Sequence, residues 1–230
     1  MFFLGIGHTG HRKSNIKQNM TTSNDLLLCD FVELNSVEDA RLRASYARQF
    51  FNIHLEWISR LVFIEEADLA MMNAPHKLAS CLLAVLRDNR DVVVGSVCLK
   101  EQPFDVHAQR QCTASTDSAA VDADADAVSA SDARDGDASA ADSSSQPRSF
   151  ELLKFAVSPS YQKCGIGKEL LRRSLARAAE LNATQLVLWS ESHLYAAQKL
   201  YVNYGFEQVS IEDVHNKTYE GADVKFAKLL

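Results

Sequence analysis

Proline and glycine are scarce in this chain of 230 residues, four and nine in all, too few for a collagen-like or elastic repeat. Cysteine is equally thin: Cys29, Cys81, Cys98, Cys112 and Cys164 are scattered, odd in number and form no CxxC pair. That pattern argues against a disulfide scaffold or a thiolate zinc centre and fits a reducing, cytoplasmic compartment. No apolar run reaches the roughly 18 residues that a membrane-spanning helix needs, so no membrane partner is expected. The seven histidines show no metal-ligand spacing, and no metal is expected. What is present is a hydrophobic fraction of 47%, ordinary for a chain that buries a core and incompatible with wholesale disorder.

The formal net charge is −6, and it is unevenly spread. Between Pro103 and Arg148 stand nine Asp, no Glu and three Arg, which accounts for the whole acidic excess. The remainder is balanced, and no nucleic-acid partner is expected. That stretch is rich in Ala, Asp and Ser and poor in branched apolar residues, so it buries too little surface to offset the entropy of ordering. A disordered insertion over 103–148 is therefore expected. It reads either as an acidic tether or phosphorylation segment, or as a tolerated expansion of a surface loop, and the second reading is preferred because closure entropy grows slowly with length. Residues 1–24 hold Arg12, Lys13 and Lys17 and no acid, and are expected to be a flexible N-terminal extension. A weak organelle-targeting segment and a true start at Met20 stay open. About 160 residues remain, a comfortable size for one domain over 25–230 interrupted by the insertion.

Within that domain, 26–34 reads as a strand, and Asn35 and Ser36 are expected to cap a helix over 37–51. A second helix is expected over 55–72, ending before Pro75. Segments 78–86 and 92–99 read as a hairpin, followed after the insertion by a strand at 151–157. An amphipathic helix over 168–181, a strand at 185–189, a helix over 194–204 stopped by Gly205, and strands at 206–211 and 224–230 complete the order. The class is α/β, one mixed sheet with helices on its faces.

The segment that carries chemistry is FELLKFAVSPSYQKCGIGK, residues 150–168. A strand runs into Pro159, then a loop with Gln162, Lys163, Gly165 and Gly167, then a helix. Two glycines one residue apart allow a tight turn that bares backbone N–H groups at the helix's positive end, an anion site suited to a diphosphate. Lys163 and Lys168 add positive charge. A Walker loop fails, because Gln162 and Glu169 stand where it needs Gly and Ser or Thr. A dinucleotide fingerprint fails at Leu170, which stands in place of its third glycine. The complete G-x-G-x-x-G at Gly5, Gly7 and Gly10 has no strand before it and no βαβ unit around it, so it is read as coincidence.

Val157-Ser-Pro159-Ser-Tyr-Gln162-Lys-Cys-Gly165-Ile-Gly167 resembles the acetyl-CoA signature of the GNAT superfamily of N-acetyltransferases, Q/R-x-x-G-x-G/A after a strand ending in V-x-P. Ala197-Gln-Lys-Leu-Tyr201-Val-Asn-Tyr-Gly205-Phe206 is similar to that family's A-x-x-L-Y-x-x-x-G-F element, at the matching separation. The likeness is close over 150–209 and looser over 26–100. It implies a GNAT-like fold whose mostly antiparallel mixed sheet splays between two central strands, with acetyl-CoA in the cleft between them. It implies that the pantetheine arm bonds to the backbone of Phe155, Ala156 and Val157. It implies that the diphosphate rests on the N–H groups of Lys163, Cys164, Gly165, Ile166, Gly167 and Lys168, with Gln162 as the first signature residue. Val157 N–H would stabilise the oxyanion of a tetrahedral intermediate.

The same resemblance implies roles for two titratable groups. Glu151 stands near where histone-acetylating members carry their base, and it would take the amine proton directly or through a water. The competing reading is a solvated or ion-paired strand carboxylate beside Lys154. Tyr201 matches the tyrosine that protonates the departing thiolate, against the reading of a core aromatic packed beside Tyr204 and Phe206. Two departures stand out: Leu194 replaces a common Asn, and Cys164 sits before the first signature glycine. A ping-pong route through Cys164 is disfavoured, since the loop lies at the diphosphate end of the cofactor, and direct transfer in a ternary complex is expected. His193 reads as a proton shuttle or, preferably, a surface turn residue.

Acceptor choice in this family comes from the two early helices and the segment before the last strand. Glu56, Glu65, Glu66 and Asp68 make the second helix acidic, which would attract a cationic amine or merely solvate a helix face. Trp57, the Glu65-Glu66 pair and the run from Tyr219 faintly resemble bacterial small-molecule acetyltransferases. A small-molecule amine acceptor or amino acid is expected, with a protein or peptide N-acetyltransferase and a non-catalytic acyl-CoA-binding module as alternatives. A homodimer is compatible with all three.

Overall fold

The computed structural model describes residues 28–58, 66–117, 146–211 and 222–230. The expectations placed on 1–24, on 118–145, on Glu65 and on 212–221 lie outside them. The described elements run β1 (Cys29–Glu33), α1 (Ala40–Ile58), α2 (Glu66–Asn73), β2 (Ser80–Leu86), β3 (Val93–Gln102), α3 (Val106–Asp117), β4 (Ser149–Val157), α4 (Ile166–Glu180), β5 (Gln185–Ser190), α5 (Tyr195–Asn203), β6 (Glu207–Val209) and β7 (Val224–Leu229). Seven strands in a mixed sheet, with helices between them, are the α/β class expected. The chain divides into two compact units: Met1–Lys100 with Leu152–Arg177, and Glu101–Glu151 with Ala178–Leu230.

In the first unit the strands follow the order β1-β2-β3-β4. β1 pairs antiparallel with β2 from Cys29↔Leu86 to Glu33↔Leu82, and β2 pairs antiparallel with β3 with a register shift between Ala84 and Val85. The helix cap differs from the sequence expectation. Residues Leu34–Ser36 form a 3₁₀ turn, and the cap moves to Asp39, whose Oδ1 accepts the N–H groups of Arg41 (2.8 Å) and Leu42 (3.0 Å). A carboxylate there satisfies two donors that the helix itself cannot, and it sits at the positive end of the dipole. α1 then runs without a break to Ile58, past the start of the separate helix expected from 55; residues 59–65 of that expectation lie outside the described residues, and α2 covers Glu66–Asn73. Tyr46 and Phe50 of α1 and Met72 of α2 pack with Leu34, Leu78, Leu83, Val85 and Val93 in one buried cluster, the apolar stripe of α1 closing over the hairpin. Gln49 fastens that contact from both ends of its amide. Its Nε2 donates to Asp91 O at 2.6 Å, and its Oε1 accepts Val93 N–H at 2.9 Å.

In the second unit the order is β4-β5-β7-β6, with the first three residues of β4 parallel to β5 (Ser149↔Gln185 to Glu151↔Val187) and β7 antiparallel to both β5 and β6. Residues 106–117, assigned by composition to the disordered insertion, form helix α3. Its Ala108 and Cys112 are buried with Val187, Val209 and Ala227. The start of α3 is held by Gln185, itself fully buried. Gln185 accepts Asp105 N–H at 3.0 Å, donates to Asp105 O at 2.8 Å and accepts the Ser149 hydroxyl at 2.9 Å. Asp105 caps the helix through Ala108 N–H at 2.9 Å and pairs with Lys225 of β7. Composition over a long window hid this helix, because only its first two turns carry apolar residues at helical spacing.

Candidate active site

Strand β4, the turn after it and the first turn of α4 all lie in the first unit from Leu152 onward. β4 kinks at Lys154, whose φ is 51°, a left-handed value that costs a non-glycine residue about 1–2 kcal/mol. Past the kink, Ala156 is buried while Phe155 and Val157 are half-buried and face Gly167. The strand's end is tied to β3 by Ser158 N–H donating to Val94 O at 2.8 Å. A 3₁₀ turn over Pro159–Tyr161 follows. Gln162 then folds its side chain back so that Nε2 donates to Val157 O at 3.0 Å, which staples the loop onto the strand it leaves. Lys163 and Gly165 take left-handed φ values of 64° and 79°, turning the chain so that α4 opens at Ile166. Glycine is the residue for which the second of these carries no steric penalty. The Cys164 thiol donates to Gln162 O at 3.5 Å, inside its own loop.

The first turn of α4 presents N–H groups that have no acceptor within the helix, at the positive end of its dipole. A Cβ on Gly167 would stand 3.6 Å from Phe155 Cζ and 3.8 Å from Val157 Cγ2, which is ordinary contact, so packing does not itself demand glycine there. Glu169 in the same turn would oppose a bound anion. Its carboxylate is instead held by Arg172 (2.7 and 2.8 Å) and Arg173 (2.8 Å), and those hydrogen bonds press its pKa down to about 2. With Lys163 and Lys168 alongside, the ionised groups of this segment sum to a positive charge. Gly95 of β3 completes the packing: a Cβ there would lie 3.1 Å from Ala156 O and 3.2 Å from Leu170 Cδ1, so β3, β4 and α4 meet only over a bare main chain. That glycine was readable as a close approach inside a strand. The kink at Lys154 was not, since no residue there favours a left-handed φ.

The other two titratable candidates lie in the second unit. Glu151 stands opposite Val187 on the parallel ladder and is 3% exposed. Tyr201 on α5 is 6% exposed, its ring edge-on to Phe206 (centroids 6.1 Å) and tilted against Phe226 (5.8 Å). Burial pushes its phenol pKa well above the ordinary value, so the hydroxyl keeps its proton throughout the working range. His193 is exposed in the turn before α5 and pairs with Glu191 at 3.2 Å, as a turn histidine does. Leu194, where Asn was noted as common, is the N-cap position of α5 and offers no side-chain cap. Among the described residues no group of His, Cys, Asp and Glu could hold a metal ion. No helix among them is long and apolar enough to cross a membrane.

Against known proteins, a profile of the acetyltransferase (GNAT) family matches residues 40–206. By sequence the chain matches no curated protein. Among solved structures it is similar to a GNAT-family acetyltransferase of Staphylococcus aureus, at 15% identity and a TM-score of 0.58 over 88% of this chain and 99% of that one. An acetyltransferase of Streptococcus agalactiae aligns at 16% identity and a TM-score of 0.55, again over 88% and 99%. Arabidopsis thaliana Naa50, solved with the bisubstrate analogue CoA-Ac-MVNAL, aligns at 15% identity and a TM-score of 0.52 over 88% and 99%. At such identities the structures attest the shared fold, while the profile spans most of the chain, including the β4–α4 turn and α5. The chain belongs to the GNAT family of acetyltransferases.

Proposed function

We propose that this protein is an N-acetyltransferase that moves an acetyl group from acetyl-CoA to the primary amine of a small molecule or amino acid, by direct attack in a ternary complex. The observation that carries the reading is the first turn of α4. Its main-chain donors are bared at Gly165 and Gly167, its one acid is neutralised by two arginines, and a glycine is kept where protein packing alone would accept a methyl group. Such a surface suits the diphosphate of CoA. The pantetheine arm would run along Phe155, Ala156 and Val157, and the diphosphate would sit on the N–H groups from Lys163 through Cys164, Gly165, Ile166 and Gly167 to Lys168.

The chemistry then follows in order. Attack requires a neutral amine, because an ammonium has no lone pair, and Glu151 takes that proton. The amine nitrogen bonds to the thioester carbonyl carbon, and the oxygen's developing charge is met by Val157 N–H. The C–S bond breaks as Tyr201 passes its hydroxyl proton to the departing thiolate, and the proton that the nitrogen must still shed to become an amide returns to the tyrosine oxygen, which therefore ends neutral. Exposed Glu56 and Glu66 at the ends of α1 and α2 favour a cationic acceptor over an acidic one. The Arabidopsis complex with a bisubstrate analogue raises a second reading, an N-terminal peptide as acceptor.

The test is release of CoA thiol on mixing protein, acetyl-CoA and a panel of amines, amino acids and N-terminal peptides. Thiol released with small amines supports the reading, and release with peptides alone transfers it to the second. Tight acetyl-CoA binding with no release from any acceptor makes the protein a non-catalytic binding module and refutes both.

A further inference from the structure

Among the described residues, one buried polar chain takes no part in the chemistry just set out. His54 of α1 is 3% exposed, and its Nε2 lies 2.8 Å from the hydroxyl of Ser96 on β3, which is wholly buried. Ser96 Oγ in turn donates to the main-chain carbonyl of Lys154 on β4 at 3.2 Å. That carbonyl belongs to the residue with the left-handed φ of 51°, immediately before Phe155. The ring of Phe50, edge-on at 4.7 Å, fixes the plane of the imidazole. All of these residues lie in the first unit.

We propose that His54 and Ser96 are positioning residues that pin the kink at Lys154 and so aim the main chain of Phe155, Ala156 and Val157 at the arm of the acyl donor. The inference rests on the acetyl-CoA reading above. Its logic is a count of protons. A serine hydroxyl carries one hydrogen, and here it goes to the Lys154 carbonyl, so Ser96 must accept its second bond from His54. The imidazole therefore carries a proton on Nε2, and a neutral ring carries its proton there alone. Burial supports the neutral state, pushing the ring's pKa down to about 3, with the Lys154 ammonium adding to the shift. A kinked strand without this bond would leave a buried carbonyl short of a donor and relax toward regular extension, swinging the next three amides away.

Two measurements test the pin. Long-range ¹⁵N–¹H correlation in the wild-type protein is expected to show His54 protonated at Nε2; protonation at Nδ1 would reverse the hydrogen bond and overturn the proposal. In kinetics, Ser96→Ala and His54→Leu are expected to raise KM for acetyl-CoA on the order of ten-fold with KM for the amine unchanged, and His54→Gln, which keeps a donor at the Nε2 position, to restore most of it. Wild-type KM for acetyl-CoA in Ser96→Ala would refute the role, and so would equal changes for both substrates. Should a variant fail to fold, the tautomer in the wild-type protein decides alone. A wild-type protein that does not bind acetyl-CoA in calorimetry refutes the acetyl-CoA reading itself, and the tautomer still judges the pin.

Discussion

Lowering the pH from about 7 to about 5 should destabilise the protein through one side chain, and the size of the loss can be worked out. His54 is buried neutral, with a folded pKa of about 3 against an ordinary 6.5. Between those values the unfolded chain binds a proton that the folded chain refuses, so stability falls as pH falls through 6.5 and continues down toward 3. Each unit costs about 1.4 kcal/mol, which makes about 2 kcal/mol between pH 7 and pH 5. Because pH 5 lies well above the folded value, the figure depends on the unfolded pKa far more than on the buried one. The shifted acids Asp39, Glu101, Asp105 and Glu169 all have their pKa values moved down from an ordinary 3.8 or 4.5, so most of their losses fall below this window. The assay is urea denaturation at both pH values on wild type and on His54→Gln, which cannot titrate but can still donate to Ser96. Subtracting the variant removes every contribution the two share. Wild type should lose about 2 kcal/mol more than the variant, a large part of a typical domain's margin. Parallel losses in the two proteins would mean that His54 is either exposed or already charged in the native state, and the burial argument would fail.

Four further outcomes follow. Gly95→Val should cost about 1–3 kcal/mol in denaturant melts, since its Cβ alone already presses on Ala156 O and Leu170 Cδ1; an unchanged midpoint would show that β3 and α4 are not in close contact there. Gly167→Ala should leave the fold intact or up to about 1 kcal/mol more stable, yet weaken CoA binding in calorimetry, and undiminished binding would move the diphosphate elsewhere. Gly165→Glu should abolish CoA binding by strain at φ 79° and by placing a carboxylate on the anion site. Tyr201→Phe should lower turnover with cofactor affinity unchanged. Full turnover would return Tyr201 to the role of a core aromatic between Phe206 and Phe226.

The turn from Val157 to Gly167 was legible in the sequence because its information is local. Proline ends a strand, glycine permits a left-handed φ, and a helix start exposes donors, whatever lies around them. Element order was legible for the same reason, since hydrophobic period follows from the side chains of one segment. Helix α3 was not. Its stability comes from Gln185, far along the chain, and from Ala108 and Cys112 packing on Val187 and Ala227, none of which marks the segment itself. Nor was the cap of α1, where Asn35, Ser36 and Asp39 are all competent and only the path of the 3₁₀ turn selects the third.

What the sequence determined unaided is the turn at the end of β4, because residue type there dictates backbone shape and local charge. Tertiary structure alone decided where His54, Ser96 and Lys154 meet. Each is unremarkable in its own segment, and a hydrogen-bonded chain across α1, β3 and β4 exists only once folding has excluded water from the residues that form it.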